Sequence, residues 1–375
     1  MNFDLSDEQK MLAEQASGLL GERSSPDRLR DLIDSGAEWD EPLWRELAKM
    51  GFLGAAIPEE FGGVGMTRLD LAVISEELGR ANAALPFFSS IVLAAEAIAL
   101  AGSDEQKARW LPALASGETV ATFAYAEGSG GWNAARFGVV ARNGVLNGVK
   151  SPVADAGVAT IAVVLASDES GNPVLGVAAL DQAGITRTKL ESFDQLRAHY
   201  ELSFHNAAFD PLNAMAASVV LPKLFERAAV QAAFEAVGGA DACLKMARNH
   251  AMERQIFGRP LAGYQAIKHK LADIFVDVEL ARSSAYYAAW AATYGEDELP
   301  AAAAAARLCA TGAFEKAARE NIQVHGGIGY TFEANCHFYY RRERTLATSI
   351  GNREVWASRL IDSFLKQKPN LVEAA

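Results

Sequence analysis

The chain has 375 residues, 50% of them hydrophobic and 22% charged, with a formal net charge of −12. This composition excludes a disordered or collagen-like chain, and the acidic balance excludes a nucleic-acid binder, whose phosphate contacts need clustered Lys and Arg. Charges interrupt every apolar stretch short of the ~18 residues that a membrane span needs, so no membrane role is expected.

Ser6-Asp7-Glu8-Gln9 is a capping-box pattern, and Met11, Leu12, Ala16, Leu19 and Leu20 follow at helical spacing. Trp44, Leu47, Met50 and Leu53 give a second stripe, and further helices are predicted over 70–78, 91–100 and 105–114. Ile57-Pro58-Glu59-Glu60-Phe61-Gly62-Gly63 reads as a loop by its Pro and paired Gly. From 119 to about 209 the texture is β: strands are predicted over 160–165 and 174–180, and Tyr200, Leu202 and Phe204 alternate with polar residues. Asn143-Gly144 and Asn147-Gly148 read as hairpin turns. Beyond Pro211, helices are predicted over 221–252, 266–294, 301–324 and about 353–365, long enough for a four-helix bundle. Gly326-Gly327 stops the third of them. The pattern predicts an α+β chain of three domains: helical (1–118), all-β (119–212) and helical bundle (213–375).

Met1-Asn2-Phe3-Asp4 has neither the basic nor the apolar part of a secretory leader. Cys243, Cys309 and Cys336 form no CxxC pair, so neither a disulfide framework nor a metal site is expected. His325 has no second metal ligand at a convincing spacing. A cytoplasmic location is the expectation.

Three motifs stand at the joints of this frame. They are Pro58-Glu59-Glu60-Phe61-Gly62-Gly63, then Arg254-Gln255-Ile256-Phe257-Gly258-Arg259-Pro260-Leu261, then Gln323-Val324-His325-Gly326-Gly327-Ile328-Gly329-Tyr330. Over essentially its whole length the chain resembles the acyl-CoA dehydrogenase family. The resemblance implies an N-terminal helical domain, a middle β-barrel and a C-terminal four-helix bundle, assembled as dimers or dimers of dimers. It implies α,β-dehydrogenation of an acyl-CoA thioester with FAD as cofactor, a carboxylate taking the α-proton while hydride passes to the flavin. Arg254, with Phe257 in the same motif, is then expected to reach the pyrophosphate of FAD held mainly by a neighbouring subunit. Gln323 and Gly327 are expected to touch the adenosine and diphosphate half of the same molecule. The alternative readings are a helix-capping Arg254 and an ordinary Gly C-cap at 326–327.

The chain departs from the family where flavin is gripped and protons are moved. In Ala126-Glu127-Gly128-Ser129-Gly130-Gly131-Trp132, Ala126 stands where relatives carry a hydroxyl. After Asn147-Gly148-Val149-Lys150, Pro152 replaces an aromatic and Ala154 a second hydroxyl. The late base position, before Gly351, holds Ile350, and the alternative position on the first long bundle helix holds Ala228. Glu226 lies about 200° round the helix from Ala228, and Glu235 and Glu253 are expected on solvated faces. Residues 326–333, with His337 and Tyr340-Arg341-Arg342, resemble a branch from bacterial steroid and bile-acid catabolism that forms α2β2 complexes with fewer flavin sites than chains. The leading expectation is therefore a subunit without its own base that serves FAD bound by a paralogous partner in a heterotetramer. One alternative is a self-sufficient homo-oligomeric enzyme using an unusual base such as Glu226. Another is a flavin-free acyl-CoA-binding protein. The family's acyl pocket is shaped near 69–78, and small residues such as Ala228, Ala229, Ala232 and Ala233 permit a roomy one.

Overall fold

The structure is a computed structural model that describes residues 5–128 and 138–367. Eleven α-helices and ten strands lie within the described residues. In the first third these are α1 (Asp7–Arg23), α2 (Pro26–Ser35), α3 (Glu41–Lys49), α4 (Arg68–Arg80), α5 (Glu96–Ala101) and α6 (Asp104–Ala115). Eight strands follow: β1 (Ala121–Ala124), β2 (Val140–Arg142), β3 (Val145–Ala154), β4 (Ile161–Ser167), β5 (Pro173–Ala179), β6 (Ile185–Leu190), β7 (His199–Ala208) and β8 (Asp210–Leu212). The last part holds α7 (Ala217–Glu253), the hairpin β9 (Gln255–Ile256) and β10 (Arg259–Pro260), α8 (Gln265–Tyr294), α9 (Leu299–His325), α10 (Cys336–Thr348) and α11 (Arg353–Gln367).

The chain divides into two compact units. One is helical and comprises Met1–Arg28, Arg68–Ala83 and Ala229–Ala375. In it α8 packs on α9, α10 and α11 also pack on α9, and α4 lies against α1 and α8. The Ser6 capping box is formed, with Ser6 accepting from the Gln9 N–H at 3.2 Å. Gly326 ends α9 with φ +68, a conformation that costs glycine little.

The other unit comprises Leu29–Thr67 and Ala84–Ala228 and is built on an eight-stranded sheet. Its strand order is β6-β7-β3-β2-β4-β5-β8, with β1 parallel to β4. Every residue of β4 is buried, as its unbroken apolar run requires, and Tyr200, Leu202 and Phe204 of β7 point inward. Among the described residues no helix is long and apolar enough to cross a membrane.

Several local expectations are corrected. Asn143-Gly144 is a two-residue turn with φ of 49° and 76°, but Asn147-Gly148 runs within β3 at a register shift. The predicted 91–100 helix is a π-helical run, Phe88–Ala95, continued by α5. There Ser90 accepts from the Ala121 N–H at 3.0 Å, and Ser89 donates to Asp155 at 2.6 Å. α2 was not expected from its sequence, and the basic stretch 341–344 lies inside α10.

Candidate functional site

In the sheet unit, the two segments that depart from the family pattern, 126–128 and 147–154, meet. Ala126 is buried and offers no hydroxyl, whereas its neighbour Glu127 accepts Lys150 Nζ at 2.5 Å. Glu127 also accepts the backbone N–H groups of Gly138 and Val139, and Lys150 donates to the Tyr125 carbonyl at 3.3 Å. Ser151 N–H donates to Ala126 O at 2.9 Å, so the segment after β1 is laced to β3. Burial pulls the Lys150 pKa down to about 8 against the pull of Glu127. Pro152 is exposed on β3, and the Ala154 carbonyl accepts Thr122 Oγ1 at 2.6 Å. Sequence reasoning overlooked the Glu127–Lys150 pair, although one fragment supplied the acid and the other the base. Ser129, Gly130, Gly131 and Trp132 lie outside the described residues.

In the helical unit, Arg254, Phe257, Gln323 and Gly327 come to one end of the bundle. Ala247 and Ala251 of α7 and Val324 of α9 form a buried cluster there, covered by Leu261, Ala262, Ile267 and Leu271. Arg254 follows α7 directly and is exposed. Phe257 and Gly258, with φ of 47° and 78°, make the two-residue turn between β9 and β10. The Phe257 side chain is 96% exposed. Tyr264 steadies this hairpin, donating its hydroxyl to Ile256 O at 3.0 Å while Arg259 lies over its ring at 3.8 Å. Gln323 and Gly327 are exposed at the end of α9, followed by exposed Ile328, Tyr330 and Phe332. The His250 and His325 rings stack between the two helix ends, with centroids 4.1 Å apart.

Neither expected base position holds a group that can take a proton. Ile350 is fully buried in the turn between α10 and α11. Its φ of +51° is a left-handed conformation that a β-branched residue adopts only under strain. The turn is held by Trp356 Nε1, which donates to Ile350 O at 3.2 Å, and by buried Arg307, which donates to Ser349 O at 2.8 Å. Ala228 is buried in α7 and Glu226 half-buried. Glu253 is exposed as expected, but Glu235 is not on a solvated face. It is buried and paired with buried Arg342 at 3.4 Å, which also donates to Ala83 O at 3.2 Å. The helical pattern of α7 hides this, because the partner comes from a segment 107 residues away. Glu343, one residue on, was also unforeseen: burial pushes its carboxyl up to about 7.

Along part of their length α4 and α7 approach closely. A Cβ on Gly79 would overlap the Glu235 carbonyl, and one on Gly238 would overlap the Glu76 carbonyl. Ser75 donates to Gln231 Oε1 at 2.9 Å, and Gln231 donates to Arg68 O at 3.1 Å. Gly79 and Gly238 thus let the two helix backbones meet along this stretch.

The family models describe the same frame: the acyl-CoA dehydrogenase N-terminal domain matches residues 6–118 and the C-terminal domain residues 219–365. The acyl-CoA dehydrogenase IpdE2 of Mycobacterium tuberculosis is 31% identical over 340 residues, covering 90% of this chain and 91% of the relative. A variant of the Tcur3481–Tcur3483 steroid ACAD superposes with TM-score 0.87 at 29% identity, over 96% of this chain and 98% of that one. The ChsE4–ChsE5 complex from Mycobacterium tuberculosis gives 0.88 at 26% identity, over 97% and 99%. The chain belongs to the acyl-CoA dehydrogenase family.

Proposed function

We propose that this chain is a cytoplasmic subunit of a heteromeric acyl-CoA dehydrogenase that lacks its own base. It lends Arg254, Phe257, Gln323 and Gly327 to FAD seated chiefly in a paralogous partner. The observation that carries this reading is a contrast within one chain. Groups suited to a ligand shared with a neighbour stand uncovered at the bundle end, while a buried isoleucine occupies position 350. Two solved relatives named as pairs, Tcur3481–Tcur3483 and ChsE4–ChsE5, support a partner of the same family. The first is named a steroid ACAD, which supports a bulky steroid-derived acyl-CoA as the substrate of the assembled enzyme.

The residues present fit one end of FAD and not the other. The bundle end offers a guanidinium fork, a side-chain amide and an uncovered glycine backbone, a donor set for a diphosphate. In the sheet, Ala126 and Ala154 stand in the places of the hydroxyls expected for the ring. When bound, the flavin supplies an acceptor for the hydride leaving the β-carbon. Arg254 offsets diphosphate charge, Gly327 permits close backbone approach, and Phe257 covers apolar surface and excludes water. Taking the α-proton falls to a carboxylate of the partner.

Expression alone and together with a neighbouring paralogue tests the reading. The lone chain is expected to be colourless, and the co-purified complex to carry FAD that bleaches on addition of an acyl-CoA. A lone chain that holds stoichiometric FAD and oxidises an acyl-CoA overturns it.

A further inference from the structure

The residues proposed to reach a partner's flavin sit on two segments that end different helices, so something must fix one against the other. His250 lies in the last turn of α7, and Arg254 N–H donates to its carbonyl at 2.9 Å. His325 is the last residue of α9, and its Nδ1–H donates to Asn321 O at 2.8 Å, which leaves the proton on Nδ1 in the neutral ring. The glycine turn folds back on this residue: a Cβ on Gly329 would crowd His325 Cβ and the Ile322 carbonyl. The two rings stack with an interplanar angle of 26°. One face of the His325 ring thus meets the α7 end, while the turn carrying Gly327 rests on its Cβ.

We propose that the His250–His325 stack is a positioning pair that holds the 326–330 turn beside the Arg254 hairpin, and that a second proton on the pair releases the turn. One proton leaves a cation against a neutral ring, which is tolerated. A second sets two like charges about 4 Å apart, close to the Arg254 guanidinium. Burial, His325 and Arg254 all lower the His250 pKa, and only Glu253 raises it. The third segment packed at this end contributes Leu261, Ala262, Ile267 and Leu271 to the apolar cluster, and of its charged groups Arg259 lies over the Tyr264 ring and Lys270 pairs with Glu320 of α9. The cluster keeps the helix ends together when the stack opens, so the change stays local. The consequence for function rests on the reading above: acid weakens flavin capture without unfolding the chain.

The test is hydrogen exchange of the backbone amides of residues 326–331 in the lone chain, at about pH 7.5 and about pH 4.5 and corrected for intrinsic rates. Wild type is expected to lose roughly tenfold protection at the lower pH. His250→Phe keeps a flat ring that does not titrate and is expected to hold its protection at both. His250→Ala is expected to exchange fast at both. Unchanged protection in wild type, or the same acid loss in His250→Phe, overturns the proposal. FAD content of the co-purified complex separates the two readings. If the exchange behaves as expected and no complex carries FAD, the proposed function fails and the positioning role stands. If the complex carries FAD and the exchange ignores pH, the positioning role fails alone.

Discussion

The Glu343 carboxyl is 2% exposed and has Arg344 Nε at 3.1 Å, yet burial outweighs that cation and pushes its pKa from 4.5 up to about 7. Between those two values the folded chain keeps a proton that the unfolded chain releases, so stability falls as pH rises through that window. Glu343→Gln removes the charge and keeps the shape. Urea unfolding from pH 5 to 8 is expected to show a flatter profile and a gain of about 1–3 kcal/mol at the alkaline end. Parallel profiles for variant and wild type would contradict the assignment. Lys150 is a buried cation with Glu127 in place beside it at 2.5 Å. Glu127→Leu strands the ammonium and is expected to cost about 3–5 kcal/mol. Adding Lys150→Met should recover most of that loss in a double-mutant cycle, and additive losses would show that the two residues do not act as a pair. The pair gives both segments a structural role, because it laces the segment after β1 to β3.

At the scale of elements, α4 and α7 meet through Gly79 and Gly238. Gly238→Ala puts a methyl into the Glu76 carbonyl and is expected to destabilise the chain by about 1–3 kcal/mol in chemical denaturation. A neutral result would mean that the helices part easily and leave room for a ligand. The β9–β10 hairpin makes the contrary prediction. Phe257 touches almost nothing at 96% exposure, so Phe257→Ala should leave thermal unfolding unchanged. A rigid aromatic set on a two-residue turn has the form of an interface anchor, and its removal should weaken partner association by about tenfold or more. Binding of the purified partner to wild type and variant checks this, and equal affinities would remove Phe257 from the interface.

At the scale of the whole chain, the sequence made the frame legible because its signals are local. The Ser6 capping box, apolar periodicity and Gly stops depend on neighbours within a few residues, and they located α1, α6, α8, α9 and the strands β4, β5 and β7 closely. What stayed hidden depends on distant partners. Glu235 looked like a solvated helix residue because Arg342, which neutralises it, is far away in sequence. α10 looked like a basic stretch because Arg342 and Glu343 are buried against other helices. Asn147-Gly148 looked like a turn because strand pairing with β7 overrides the local preference. Of the candidate site, the motifs pointed to Arg254, Phe257, Gln323 and Gly327, which lie exposed at the bundle end, and the expected losses are substitutions in an intact frame. Those losses lead to a count. A chain that can hold the diphosphate end of FAD but not its ring adds no flavin of its own to an assembly. The purified heteromer should therefore contain fewer flavins than chains, by absorbance against quantitative amino-acid analysis. The excess should not be filled by incubation with free FAD, whereas a complex that takes up one flavin per chain would show that the sheet of this subunit binds the ring without the missing hydroxyls.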